Sequence, residues 1–505
     1  MLRVDPGSAR RVGLRRAALG LIAALLVGCT VPDGTTGLSP GTTGTLPRTF
    51  TVMSTDPIRV VDPAAITDGA SSVLALNVFQ RLMTAEPGES VLKPDAARDC
   101  LFTAATTYTC TLNKKLVFHN GHPLTASDVK FSIERTTRLD VPGSSASLLS
   151  SLRRIETPDP LTVRFVLSRV DTQFGWALAS PAASIVDEEV YDADEVRAVD
   201  QPIIGSGPFA VTQYDPTTLS LLRNKVYVGR NRARMDAIVY RTVADSATIE
   251  EAMAKGAAEV VWRGLSAAAV TRYTQQTAQN SDQQTADGYT TETFPGVRVH
   301  QLHWGSGSQI RGNAALRQAV AVALQGDRTL DSVVPSGVPG HQSSFAAGGQ
   351  AKPKVTWKNR IPMTLAYDAT MPDGRDIATQ IRSRLEDTGG LSVRLRPGDV
   401  NADLSLVDRK AWTATALAWL QPYLDAPLPS SGATVSATET AYRATTEDAQ
   451  ATRLLAALQR QAALDNIVLP ISQTDEYLYA KAGVTINDTS FGPGWQLGLY
   501  GIRNG

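Results

Sequence analysis

The stretch FHNGHPLTASDVKFSIER, Phe118 to Arg135, gathers two histidines, a serine, a lysine and several acidic or amide side chains, and so raises the question of an active site. Ser127 and Lys130 stand in the S-x-x-K spacing of acyl-enzymes, but no K-T-G element accompanies them, and the KAG at Lys481 lacks the hydroxyl. His119 and His122 form an H-x-x-H pair across a turn with no third ligand nearby in sequence, which is a poor metal site. Each polar residue also has a structural task. Asn120-Gly121 signals a tight turn, and Thr125 with Asp128 three residues on reads as a capping box opening a helix. On that helix Val129 and Ile133 share a face while Phe131 points elsewhere, so it should pack on more than one side. The stretch therefore reads as scaffold, and no catalytic residue, cofactor or metal site is expected.

The elements around it belong to a large chain. The 505 residues are 43% hydrophobic and 19% charged, ordinary values for a multidomain globular protein. Lys plus Arg equals Asp plus Glu at 49 each, with no long basic run beyond the extreme N-terminus, so nucleic acid is not expected as a partner. At that N-terminus several arginines precede an apolar run from Ala17 to Val27, the pattern of a signal peptide over residues 1–28. The run is shorter than the roughly 20 apolar residues that span a bilayer. It ends in LVGC, which resembles a lipobox and implies cleavage before Cys29 and lipidation of its thiol. Residues 29–48 are rich in Gly, Thr and Pro and read as a flexible tether, hanging the body from the outer face of the cytoplasmic membrane.

Export bears on the remaining cysteines. In DCLFTAATTYTCTL, Cys100, Phe102, Tyr108 and Cys110 all fall on even positions, the period of strands. A hairpin folded about Ala105 sets Cys100 opposite Cys110 and Phe102 opposite Tyr108, with facing Cα atoms about 4.5 to 5.5 Å apart, within a disulfide's range. A bond between Cys100 and Cys110 is expected, since thiols outside the cytoplasm oxidise.

An α/β body follows from pattern. IPMTLAYDA reads as a strand, GRDIATQIRSRLEDTGG as a helix with Ile377, Ile381 and Leu385 on one face and a glycine stop, and LSVRLRP as a second strand. Strand, helix and strand with short connections imply parallel pairing. Asp245 similarly reads as the cap of a helix that feeds AEVVW.

A resemblance adds to this. Phe118, Asn120, Gly121, Leu124, Thr125, Ala126, Asp128, Val129, Phe131 and Ser132 match a signature segment of the extracytoplasmic solute-binding proteins of the peptide/nickel class, family 5, the receptors of ABC importers. Val61-Asp62-Pro63, GSGPF at Gly205 to Phe209, the RNKVY after it and LRQAVAVALQGDR from Leu316 resemble further family elements in the right order, although Glu259 replaces a usual aspartate. The resemblance implies a periplasmic-binding-protein-like α/β fold with two lobes around a ligand cleft. Lobe I would comprise residues 49–80, 202–296 and 469–505, lobe II residues 297–468, and residues 81–201 an inserted α+β accessory domain. It also implies a monomer that closes by hinge motion on an extended oligopeptide or peptide-like solute and delivers it to ABC permease subunits.

Peptide binders of the family carry a G-W-x-x-D loop whose aspartate meets the ligand's amino group. ALAWLQPYLDAP is the stretch here that resembles it, with Trp419 at the tryptophan and Pro422 where the aspartate would stand. Either Asp425 takes over that role or the ligand lacks a free amino terminus, and Pro422→Asp should strengthen binding of free-amino peptides. The ligand-lining candidates are thus Trp412, Trp419, Tyr423 and Asp425. A nickel or metallophore ligand held by His300 and His303 of HQLHW is the alternative on the same fold, and a surface serine hydrolase using Ser127 and Lys130 a remote one.

Overall fold

The computed structural model describes residues 50–87, 89, 91–349, 357–486, 490–492 and 494–504; the signal-like segment, Cys29 and the tether lie outside the described residues. One sheet has ten strands, ordered Leu391–Pro397, Ile361–Tyr367, Leu404–Arg409, Tyr289–Trp304, Val468–Lys481, Val260–Trp262, Phe50–Ser54, Ala237–Thr242, Thr218–Arg223 and Phe209–Asp215. At its centre the two longest strands run antiparallel, from Tyr289 opposite Lys481 to His303 opposite Val468. Their ladder is broken between Phe294 and Arg298. Gly296 sits in the break at φ 66°, and a Cβ there would meet Gln473 Nε2 at 2.6 Å, so only glycine serves. The break also parts two cores. Val299, Leu302, Leu469 and Ile471 join one with Leu316, Leu365 and Leu404. Phe294, Val297 and Leu478 join another with Phe50, Ile238 and Trp262.

The parallel units appear as the patterning requires. Ile361–Tyr367 and Leu391–Pro397 pair in parallel across the helix Gly374–Glu386, whose exit uses Gly389 at φ 76°. Phe50–Ser54 lies parallel to both Ala237–Thr242 and Val260–Trp262, and the helix between those two, Ser246–Ala254, is capped by Asp245 Oδ1, which accepts from Thr248 N at 2.9 Å.

A separate antiparallel sheet is ordered Ala97–Ala104, Thr107–Leu112, Thr162–Leu167 and Leu152–Asp159. Cys100 and Cys110 face each other there and are disulfide-bonded, and the rings of Phe102 and Tyr108 meet edge-on at 4.8 Å. The helix Ala126–Leu139 opens with the Thr125–Asp128 capping box. Its Val129 and Ile133 enter the core of this smaller sheet while Phe131 packs on the core that holds Phe209, so one helix joins two cores.

The histidines of FHNGH are fastenings. Gly205 N–H donates to His119 Nδ1 at 3.3 Å and His119 Nε2 lies 3.1 Å from Gly207 O; burial brings this imidazole down to about 4, so it stays neutral. Gly205 itself is obligatory, because a Cβ there would lie 2.1 Å from Val78 O. His122 Nδ1 and Asn120 Nδ2 meet Asp187 at 2.8 and 2.7 Å. Ser127 Oγ donates to Glu188 at 3.1 Å while Lys130 stands 4.0 Å from Glu134, so the serine and lysine serve different partners. Asp62 caps the turn at Ala64 and holds Arg135 of the capped helix at 2.6 Å, a fully buried ion pair.

Candidate functional site

Two cavities meet at Arg263, each lined from both sides of the strand break. The larger, about 500 Å³, is bounded by Asp56–Ala70 residues and Arg263 on one side and by Thr370, Leu406, Asp408, Arg409, Lys410 and Trp412 on the other. The smaller, about 280 Å³, is bounded by Arg263, Leu265, Arg298, Asp373, Glu476 and Tyr477 among others. Residues so placed are brought together by the fold, since Arg263 directly follows the Val260–Trp262 strand and Lys410 directly follows the Leu404–Arg409 strand.

Arg263 holds φ 57°, a left-handed conformation costly for a non-glycine residue, and Gly264 follows at φ 108°. That twist points the guanidinium across the cleft, where it pairs with Asp56 and Glu476 at 3.2 Å each and with Asp408. Arg298 meets Asp373 at 2.7 Å and Asp408 at 3.3 Å. Burial opposes ionisation of Asp408, but Arg263 and then Arg298 outweigh it and hold the carboxyl well below its usual range. Asp56 goes the other way, raised because burial outweighs Arg263. Lys410 is buried, donates to Val297 O at 3.0 Å and has Glu476 at 3.7 Å; burial, then Arg263, lowers its pKa. At the mouth, Arg59 reaches Asp368 at 3.7 Å and Thr370 at 3.4 Å.

Of the candidates from sequence, Trp412 lines the larger cavity, buried to 4%, with the Arg409 guanidinium 5.9 Å from its ring. Trp419, Tyr423 and Asp425 line neither of these cavities. The stretch expected as a ligand loop is instead a helix, Ala416–Asp425, because Ala416, Leu417, Leu420 and Tyr423 supply a helical apolar face to the core. Trp419 is buried in the same core, and Tyr423 donates to Asp465 at 2.7 Å. Asp425 is exposed and accepts from Gln421 at 2.5 Å. Pro422 interrupts the helix where the carbonyl four residues back, Ala418 O, accepts from Arg409 Nη2 at 2.9 Å. Its missing N–H leaves that carbonyl free for the buried guanidinium. His300 Nδ1 is 2.9 Å from Ser472 Oγ and His303 Nε2 is 3.0 Å from Gln301 Oε1, each engaged separately.

Sequence reading missed Asp56, Arg263, Arg298, Asp408, Lys410 and Glu476. The available signal was the run Asp408-Arg409-Lys410 set directly between the apolar alternation of LSLV and AW, where charge is out of place unless it faces a cavity.

Comparison with known proteins then gives a consistent picture. Residues 92–439 match the model for bacterial extracellular solute-binding proteins, family 5. The chain is 24% identical over 358 residues to the probable D,D-dipeptide-binding periplasmic protein of Escherichia coli (strain K12), covering 66% of this chain and 67% of that relative. Among solved structures, the dipeptide binding protein of Pseudoalteromonas sp. SM9913 in complex with Met-Leu superposes with a TM-score of 0.75 at 17% identity, covering 91% of this chain and 100% of that one. The binding protein of A. tumefaciens R10 in complex with agropinic acid gives 0.75 at 20% identity, covering 90% and 98%. At such identities the likeness speaks for the fold, a mixed α/β periplasmic-binding architecture.

Proposed function

The chain belongs to the bacterial extracellular solute-binding proteins of family 5, which are binding proteins and not enzymes, and from that premise we propose that it captures a peptide or peptide-like solute in the cleft spanned by Arg263. It then delivers the solute to the permease of an ABC importer. The observation that carries this reading is that both cavities are walled by residues from the two sides of the strand break, Arg263 on one side and Asp373 or Asp408 on the other, so an occupant touches both sides at once. A ligand stabilises closure only through such double contact. In this reading the lobes are residues 49–80, 202–296 and 469–505 against residues 297–468, the accessory domain is 81–201, and the paired long strands form the hinge. Trp412 is the aromatic wall of the ligand site, while Trp419, Tyr423 and Asp425 hold the helix behind it. The solute is of the class seen with the dipeptide protein or, since the agropinic acid protein shares the fold equally well, a peptide-like acid. Acylation of Cys29 keeps the receptor, a monomer, at the outer face of the cytoplasmic membrane.

Native mass spectrometry of the purified chain tests the ligand class. Retained adducts that fragment as peptides are the expected result, and absence of any adduct after incubation with a peptide library would sink it. Palmitate-analogue labelling tests the anchor: incorporation should occur in the wild type and vanish in Cys29→Ala, and an unlabelled wild type would remove lipidation from the reading.

A further inference from the structure

The walls of the larger cavity are unequally matched. Asp408 already faces two guanidinium groups, Arg263 and Arg298, so its charge is compensated within the protein. The next two residues are cations with much less company. Arg409 and Lys410 are each 8% exposed. Among the described residues Arg409 donates only to carbonyl oxygens, those of Lys410 and Ala418, and its buried Nε has no partner. Among the described residues Lys410 makes one hydrogen bond, to Val297 O, while Glu476 pairs with it at 3.7 Å, beyond hydrogen-bond reach. An ammonium carries three N–H donors, so this one has donors unspent beside an open cavity. Two buried cations with no hydrogen-bonded carboxylate are costly unless an anion arrives.

We infer that the larger cavity is the seat of a ligand carboxylate, received by Lys410 with Arg409 adding positive potential behind it. Asp408 Oδ1, buried without a partner, is the adjacent acceptor for an N–H of the same ligand. A carboxylate next to an N–H is the chemistry of the last residue of a peptide or of an N-acylated amino acid. By contrast Asp56, Asp408 and Glu476 each already have the Arg263 guanidinium beside them, with Arg298 also on Asp408, so a ligand ammonium would compete with cations in place. The inference rests on the peptide or peptide-like reading and sharpens it: the acid end is read and a free amino end is not needed.

The test uses the full chain and one mixed di- to tetrapeptide library prepared in four forms: free, N-acetylated, C-amidated, and blocked at both ends. Affinities are read by titration calorimetry. Both acid forms should bind alike, and amidation should weaken binding about tenfold or more, the worth of a hydrogen bond to a charged group. Lys410→Met should erase the difference between acid and amide, and Lys410→Arg should restore it. Should Lys410→Met fail to fold by its melting curve, the wild-type comparison of acid with amide decides alone. Equal binding of acid and amide, or loss of binding on N-acetylation, overturns the inference and leaves the peptide receptor standing; failure of all four forms overturns both.

Discussion

Arg263 shows how one side chain can organise a cleft. Its left-handed backbone carries it to three carboxylates, and removing it would leave them buried around a void. Arg263→Ala should therefore cost roughly 3–5 kcal/mol, the usual result of breaking a buried ion pair, read as a fall in urea midpoint. Pro422 is the opposite case. It resembles a lost anchor in sequence, yet its side chain lies behind the wall and its missing N–H serves Arg409 through Ala418 O. Pro422→Asp should leave affinity for free-amino peptides within about twofold of wild type, and the stronger binding expected from the resemblance would reinstate the loop reading. His303 carries part of the pH dependence, beside His119 and His300, whose pKa values burial also lowers. Burial, then Arg409, lowers its pKa to about 3 from an ordinary value near 6.5. The unfolded chain thus takes up this proton first as pH falls. The associated stability is complete above about pH 6.5 and is lost as pH drops toward the folded value. Between pH 7 and 4 the loss should be on the order of 1–3 kcal/mol, and His303→Gln should flatten that part of the melting-temperature profile; an unchanged profile would place the acid sensitivity elsewhere.

The hairpin Ala97–Leu112 is an element whose register was legible, because alternation places the cysteines and the Phe102–Tyr108 pair at matched positions about one turn. Its bond closes a short loop, with Cys100 and Cys110 separated by 10 positions. The entropy withheld from the unfolded chain amounts to roughly 2–3 kcal/mol for such a loop. The double variant Cys100→Ala, Cys110→Ala should lose about that much stability and keep its ligand affinity, since neither cysteine lines the cavities. A change in affinity would show that the small sheet communicates with the cleft. The helix Ala416–Asp425 was misread for an instructive reason. Trp419, Pro422 and Asp425 three positions apart match a loop motif, but the apolar face of Ala416, Leu417, Leu420 and Tyr423 packs on the core as a helix, with Asp465 and Arg409 as polar partners.

Across the whole body, ion pairs join distant segments of the chain. Arg59 with Asp368, Arg263 with Asp408, and the buried Arg443 with Asp171 at 3.3 Å tie parts far apart in sequence. The Arg443 pair is the most sheltered of these three, with both side chains at 2% exposure or below. Arg443→Ala should shift the ligand-free molecule toward a more open form, seen as a larger radius of gyration in solution scattering that ligand reverses. An unchanged radius would assign this pair to local stability alone.

The α/β class, the capped helices, the disulfide register and the scaffold nature of the FHNGH segment were determined by sequence, because each depends on local periodicity or on near neighbours along the chain, while the family was legible through the resemblance of motifs in the right order. The cleft was decided only by tertiary structure. Its members come from positions 56, 263, 298, 408, 410 and 476, brought together by the pairing of strands from both ends of the chain. Nothing local marks Arg263 as the residue that spans it. A side chain's electrostatic role is set by which charges surround it after folding, and that information lies in long-range contacts rather than in spacing.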